Sequence, residues 1–222
     1  MSVEEQGVCA AAPREELSDR AERVKKALYR RGSFTEIMYK TLDFCRARRS
    51  YASVEDEIAS YPEFKYADQS QASIIEILVH EGGLAKTEFD ANGEEVTSQR
   101  KSGLSDDELD ELVWSYALET TDAGKVAIGG LSPKDRMAVL FAKEPNRTPA
   151  YEEILRACET PKSFKELEAL MSDSQAIKAA TSRNRLSSLP VFPSALIAEL
   201  EAAGGLLWND AWVLTSAGKQ YV

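Results

Sequence analysis

The chain has 222 residues, 43% of them apolar and 29% charged, with a formal net charge of −10. That is a globular composition, long enough for two small domains, and it contains no apolar run long enough to span a bilayer. Met1 to Leu17 has acidic residues but no basic region followed by an apolar stretch, so it reads as a disordered lead-in and not a signal peptide; the protein is expected in the cytoplasm.

From Ser18 a helical pattern puts Val24, Ala27 and Leu28 on one side and lysines and arginines on the other, ending at Gly32-Ser33. A second helix runs from about Thr35 to Ala47 with Ile37, Met38, Leu42, Phe44 and Cys45 as its apolar set. Spacings of three and four are what an amphipathic helix needs to pack on a core. Ser53 reads as the N-cap of a short helix reaching Ser60, with Asp56 suiting the dipole of its first turn. The next helix starts near Asp68 or Ser70, carries Ile74, Ile75, Leu78 and Val79, and stops at Gly82-Gly83, where glycine tolerates a left-handed backbone. Leu84 to Phe89 reads as a strand, Asp90-Ala91-Asn92-Gly93 as a turn and Glu94 to Thr97 as a return strand. Ser105 opens a short acidic helix, and Trp114 to Thr120 is the closing strand.

Further on, Ser132 and Pro133 supply an N-cap and a first helical position for a helix carrying Met137, Val139, Leu140 and Phe141. Thr148-Pro149 starts another, with Tyr151, Ile154, Leu155 and Cys158. Ser163 caps a third, with Phe164, Leu167 and Leu170. Gln175 to Leu189 is helix-compatible without a sharp pattern. Pro193 begins a helix with Leu196, Ile197 and Leu200 that stops at Gly204-Gly205. Leu206 to Trp208 and Trp212 to Leu214 form a tight hairpin about Asn209-Asp210.

Two phrases recur in the same order. Ala72 to Leu84 (ASIIEILVHEGGL) returns as Ser194 to Leu206 (SALIAELEAAGGL), and Thr120 to Lys125 (TTDAGK) returns as Leu214 to Lys219 (LTSAGK). Matched phrases in matched order indicate a duplicated unit, with residues 102–112 inserted in the first copy. The expected division is a lead-in at 1–17, a first unit at 18–130 and a second at 131–222.

A helical core closed by a β-hairpin resembles the winged-helix family of helix-turn-helix domains. The residues that carry the resemblance are the hydrophobic third helix, the Gly-Gly-Leu exit and the strand ending Leu-Thr-Ser-Ala-Gly-Lys. The expected fold is therefore mostly α (α+β): two duplicated winged-helix units, each a helical core with a C-terminal β-hairpin wing. The resemblance implies recognition helices at Asp68 to Glu81 and Pro193 to Ala203, wings at Leu84 to Thr120 and Leu206 to Leu214, and double-stranded DNA as the partner.

The residues pull against that last expectation. The first third helix offers Gln69, Gln71, Glu76, His80 and Glu81, and the second offers Ser194, Glu199 and Glu201. Neither has a lysine or arginine to supply the counterion-release term of DNA affinity. Basic residues lie elsewhere. Residues 18–49 hold ten basic and four acidic side chains, and residues 50–143 hold eight and nineteen. Lys25, Lys26, Arg30, Arg31, Arg46, Arg48 and Arg49, with Lys178, Arg183 and Arg185, are the candidate phosphate contacts. They either converge on a polyanion or form solvated helical faces balanced by local acids. The acidic run Asp106 to Glu111 docks a basic partner, mimics phosphate charge, or solubilises a loop. Gln71, His80, Trp208 and Trp212 are candidate protein-partner contacts, the tryptophans serving as interface anchors if exposed or packing the hairpin if buried.

The remaining chemistry is sparse. Cys9, Cys45 and Cys158 are far apart and read as reduced thiols, the last two as small core residues. His80, the one histidine, has no second ligand nearby for zinc. No nucleotide loop or nucleophile elbow is present. The expectation is a non-enzymatic protein without cofactor or metal: a DNA-associated regulator, or alternatively a protein-interaction adaptor or homodimer.

Overall fold

A computed structural model describes residues 16–30, 32–181 and 192–222. Cys9, Arg31, Arg183, Arg185 and residues 1–15 of the expected lead-in lie outside the described residues. The chain is mostly helical, with two small antiparallel sheets.

In α1 (Leu17–Arg30) the buried residues Ala21, Val24, Ala27 and Leu28 fall on one face. The chain continues through α2 (Gly32–Phe44), a two-residue strand β1 (Arg49–Ser50), α3 (Tyr51–Ser60), a 3-10 segment (Pro62–Tyr66) and α4 (Gln71–His80). Then come β2 (Leu84–Phe89), the short helices α5 (Ser98–Lys101) and α6 (Asp106–Leu112), β3 (Ser115–Thr120) and α7 (Asp122–Ala127). β3 is the central strand. It pairs with β2 from Leu84↔Thr120 to Phe89↔Ser115, and with β1 at Arg49↔Leu118 and Ser50↔Ala117. Ile74, Ile75 and Leu78 of α4 meet Ile37, Leu42, Val54, Ile58 and Leu118 in a first core. Full burial of each such side chain contributes about 1.5–3 kcal/mol relative to exposure.

A second core gathers α8 (Pro133–Lys143), α9 (Thr148–Ala157), α10 (Phe164–Asp173), α11 (Gln175–Thr181) and α12 (Pro193–Ala202) around Met137, Tyr151, Ile154, Leu167, Leu196 and Leu200. The hairpin β4 (Leu206–Trp208) and β5 (Trp212–Leu214) and a 3-10 turn at Gly218–Tyr221 close it. Lys162 pairs with Trp212 as a single bridge, the place that β1 takes beside β3. Cys45 and Cys158 are buried free thiols. Burial pushes them up to about 12 and about 11, so both stay protonated at neutral pH.

Several local expectations are corrected. Ser50, not Ser53, caps α3: its hydroxyl accepts from the Ser53 amide at 3.3 Å. Pairing of β1 with β3 keeps the chain extended up to that residue. α2 ends at Phe44 and not Ala47, and the Cys45 carbonyl accepts instead from Thr120 N at 2.8 Å. Glu94 to Thr97 forms no strand. One bridge joins Phe89 to Glu95, and the partner of β2 is the distant β3. Finally, the phrase from Thr120 does not end the first unit's secondary structure, because Thr121 caps α7 and accepts from Gly124 N at 3.0 Å.

The two Gly-Gly junctions carry matching hydrogen bonds. Gly82 and Gly204 both have φ of 80°, a backbone that side chains rarely adopt. Gly83 N donates to Leu78 O at 2.8 Å, and Gly205 N to Leu200 O at 2.8 Å. The Thr121 hydroxyl donates to Gly82 O at 2.7 Å, and that of Thr215 to Gly204 O at 2.6 Å. The Thr121 and Thr215 amides donate to Gly83 O and Gly205 O at 3.0 and 3.1 Å. The same hydroxyls accept from Gly124 N and Gly218 N at 3.0 and 3.1 Å.

A side chain at Gly124 or Gly218 would drive its Cβ onto the carbonyl oxygen of Gly83 or Gly205, well inside van der Waals contact. Backbone cannot yield as a flexible side chain does, so Gly124→Ala and Gly218→Ala are each expected to cost about 1–3 kcal/mol. Ser216→Ala, at an exposed position of the same phrase, is expected to be neutral. Chemical denaturation of the three variants checks both outcomes.

Candidate functional site

The expected recognition helices correspond to α4 and α12. On α4, Ser73, Glu76 and His80 are exposed and Gln71 is half-buried. Glu76 accepts from Lys86 Nζ at 2.9 Å. That ammonium lies 4.4 Å from the Tyr116 ring centroid and 5.4 Å from that of Tyr51, so the first lysine beside α4 is held in an aromatic and carboxylate setting. On α12, Glu199 turns inward. It accepts from the buried Tyr151 hydroxyl at 2.6 Å and from Arg147 at 2.9 and 3.2 Å. Burial, then Glu199, push the Tyr151 phenol upward. Ala198, Glu201 and Ala202 of α12 instead line a cleft shared with Glu36, Lys40 and Glu63 of the first unit. The outer face of α12 therefore looks across at the other half of the chain.

The basic set falls into separate groups. Arg46 pairs with Asp43 at 2.7 Å, Arg48 with Glu119 at 3.4 Å and Arg30 with Glu81 at 3.4 Å. Arg49 donates to Phe44 O at 3.4 Å and stacks over its ring at 4.7 Å. Lys25 and Lys26 are exposed on α1, and Lys178 is exposed on α11 with its ammonium 3.5 Å from Asp173 O. Arg46, Arg48 and Arg49 share the turn between α2 and α3, whereas Lys25, Lys26 and Arg30 lie on α1. Exposed ion pairs are worth only ~0–1 kcal/mol, so these arginines are not immobilised. The carboxylates beside them nonetheless cancel much of the positive field a polyanion would meet.

The first hairpin carries the richest exposed chemistry. At its tip the Asp90 carboxylate accepts from Asn92 N and Glu94 N, both at 2.9 Å, and from Arg100 Nη2 at 2.6 Å. Gly93, with φ of 78°, lets the chain turn. Ser105 and Glu108 close a capping box at the start of α6. Asp106, Asp107, Asp110 and Glu111 are exposed and, among the described residues, face no basic partner. Just beyond them Trp114 is 75% exposed and Tyr116 37%. The sequence marks Trp114 as the start of the closing strand and does not single it out as a partner contact. Its exposure was hidden because it depends on where the inserted helix leaves the sheet.

The second hairpin is used differently. Trp208 and Trp212 are half-buried, edge to face at 5.1 Å. With Leu207 they border a small cavity against Glu63, Tyr66 and Ala67 of the first unit. Asp210, at φ 58°, accepts from the Tyr66 hydroxyl at 2.7 Å and pairs with Lys65. Arg136 of α8 pairs with Glu36 of α2 and lies 5.7 Å from the Tyr39 ring centroid. Lys40 pairs with Glu63 at 2.7 Å. The Trp208 and Trp212 pair thus packs at the seam between the halves and does not stand out as a free anchor.

Among the described residues no group of three His, Cys, Asp or Glu side chains is arranged to hold a metal, and no helix is long and apolar enough to cross a membrane. No family model, curated protein or solved structure matches the chain.

Two consequences can be measured. Arg136→Met leaves Glu36, whose side chain is 19% exposed, with only the looser pairing to Lys40 at 4.0 Å among the described residues, and is expected to cost about 1–3 kcal/mol in denaturant unfolding, part of it recovered by adding Glu36→Gln. At the tip of the first hairpin, the Arg100 hydrogen bond and then the amides hold the Asp90 carboxyl below its ordinary 3.8. A depressed carboxyl contributes order that is fully present above its unfolded value and lost as pH falls through its folded value. The Asn92 and Glu94 amide resonances are therefore expected to stay fixed from neutral pH down to the ordinary carboxyl range and to shift below it, and Asp90→Asn removes that transition.

Proposed function

We propose that this is a non-enzymatic tandem winged-helix protein that works by binding another protein, docking a basic partner surface on the wing of its first unit. The winged-helix reading draws support from the order α2, β1, α3, α4, β2, β3 and from the matching hydrogen bonds at the two Gly-Gly junctions. The observation that carries the docking reading is the wing itself. Four exposed carboxylates of α6 without basic partners stand beside a tryptophan that is 75% exposed. A polyanion would be repelled there, whereas a lysine- or arginine-rich surface gains both charge complementarity and an aromatic anchor.

A DNA-associated regulator is the second reading, favoured by the exposed Lys25 and Lys26 on α1. The two separate by anisotropy titration at low salt with a lysine-rich peptide and with a random duplex. The docking reading expects saturable peptide binding that weakens about tenfold or more when Asp106, Asp107, Asp110 and Glu111 become amides. It expects duplex retention that stays negligible and is indifferent to reversing Arg46, Arg48 and Arg49. Tight duplex binding with a steep salt slope that those reversals flatten would hand the function to DNA.

A further inference from the structure

The seam between the units holds an open cleft of about 700 Å³, within the size range of small-molecule sites, roughly 300–1,000 Å³. Its floor is the second hairpin and its rim is α2, the 3-10 segment, α8 and α12. It adjoins the smaller cavity of about 220 Å³ beside the paired tryptophans, and Glu63, Glu201 and Leu207 border both.

The charges of this cleft are unevenly committed. Arg136 is taken by Glu36, and Lys40 by Glu63 Oε1 at 2.7 Å. Arg136 Nε and Trp212 Nε1 are buried donors without a partner among the described residues, and two acceptors remain. Glu63 Oε2 is buried without a hydrogen-bond partner. Glu201 projects from α12 with no partner among the described residues, and desolvation raises its carboxyl above the ordinary range. A buried acceptor left unsatisfied costs about 1–3 kcal/mol, so a donor that a ligand places at Glu63 Oε2 recovers free energy, whereas Glu201 is exposed and contributes its charge. The third cation of the cleft, Lys219, borders the larger cavity alone, away from the tryptophans. At the tryptophan end Glu63 and Glu201 are the charged groups that border the cavity, and the unmet groups there are Glu63 Oε2, the Trp212 indole N–H and aromatic faces. Ammonium groups bind such faces by cation–π attraction and carboxylates by charge-assisted hydrogen bonds.

We propose that the inter-unit cleft is a binding site for a small cationic amphiphile, an aryl- or alkylamine, whose ammonium sits between Glu63 and Glu201 and whose apolar part lies against Leu207, Trp208 and Trp212. Because the wall comes from both units, an occupant bridges them and holds them in this arrangement. The site is separate from the acidic wing and does not depend on it.

The probe is phenethylamine, with phenethyl alcohol and phenylacetate as the neutral and anionic counterparts. The full chain carrying Trp114→Phe leaves Trp208 and Trp212 as the emitting tryptophans. Phenethylamine is expected to change their fluorescence saturably, with the alcohol and the acid at least about tenfold weaker. Glu201→Gln and, separately, Glu63→Gln are expected to weaken the amine about tenfold, while Glu111→Gln on the wing leaves it unchanged. Glu201 lies on the outer face of α12 and is required by no other contact, so its variant keeps the parent melting temperature. No saturable change at millimolar amine, equal binding of the alcohol, or amine affinity that survives both glutamine variants overturns the proposal.

Discussion

A threonine hydroxyl that reaches back to two consecutive glycine carbonyls decides where each hairpin leaves its helix. Thr121 does this at Gly82 and Gly83, and Thr215 at Gly204 and Gly205. A helix end has unsatisfied carbonyls that must find donors. Here the donors come from the far end of the hairpin, so the helix exit and the strand return are tied at one point. The left-handed glycine turns the chain out of the helix, and the second glycine brings its carbonyl close enough for the threonine amide. The glycine of Ala-Gly-Lys packs directly on that carbonyl. Once the junction is closed, the register of the hairpin follows. Thr120 is placed to donate its hydroxyl to Leu42 O at 2.6 Å and its amide to Cys45 O. Leu214 N reaches Cys158 O in the same way. A single polar clasp thereby orients the last helix, both strands and the end of the first core helix.

What grows from the clasp differs between the halves. The first hairpin is long enough for β3 to hold both β1 and β2, and its outer end carries the inserted helices into solvent. The second hairpin is short, with Asp210 in a left-handed turn at its tip. A short tip keeps Asp210 near its own helices, which is where Lys65 and Tyr66 of the first unit meet it. Chain length beyond the clasp therefore divides the work. One hairpin is free to carry charge outward, and the other is spent on joining the halves.

Features set by neighbouring residues were readable from the sequence, and features set by distant ones were not. Helix starts at Ser70, Ser105, Ser132 and Ser163 follow from a hydroxyl and the amide three residues on. The glycine stops at 82 and 204 are equally local. The sequence points to Ser53 and not Ser50 as the cap because the signal for Ser50 lies in its pairing with Ala117. Glu94 to Thr97 looked like a return strand because a turn precedes it, yet Asp90 closes that turn on its own amides and the strand that pairs is far along the chain. The seam was hidden for the same reason. Nothing near Arg136 announces Glu36, and nothing near Asp210 announces Lys65.

The charge pattern of the chain has a structural use that bears on recognition. The basic start and acidic middle partly meet inside the fold, Arg30 with Glu81 and Arg48 with Glu119. Arg136 returns from the second unit to Glu36. Each pair removes a positive group from the pool that a polyanion would use, and each removes a carboxylate from the pool that repels it. α6 lies outside this exchange. Its acids stand at the end of a hairpin whose Arg100 is taken by Asp90, and its Ser105–Glu108 box spends one carboxylate on the helix itself. The remaining field is negative and local, and at physiological salt it is felt over about 8 Å. A field of that range acts on a partner already in contact, so it selects among surfaces presented to Trp114 and does not gather them from a distance.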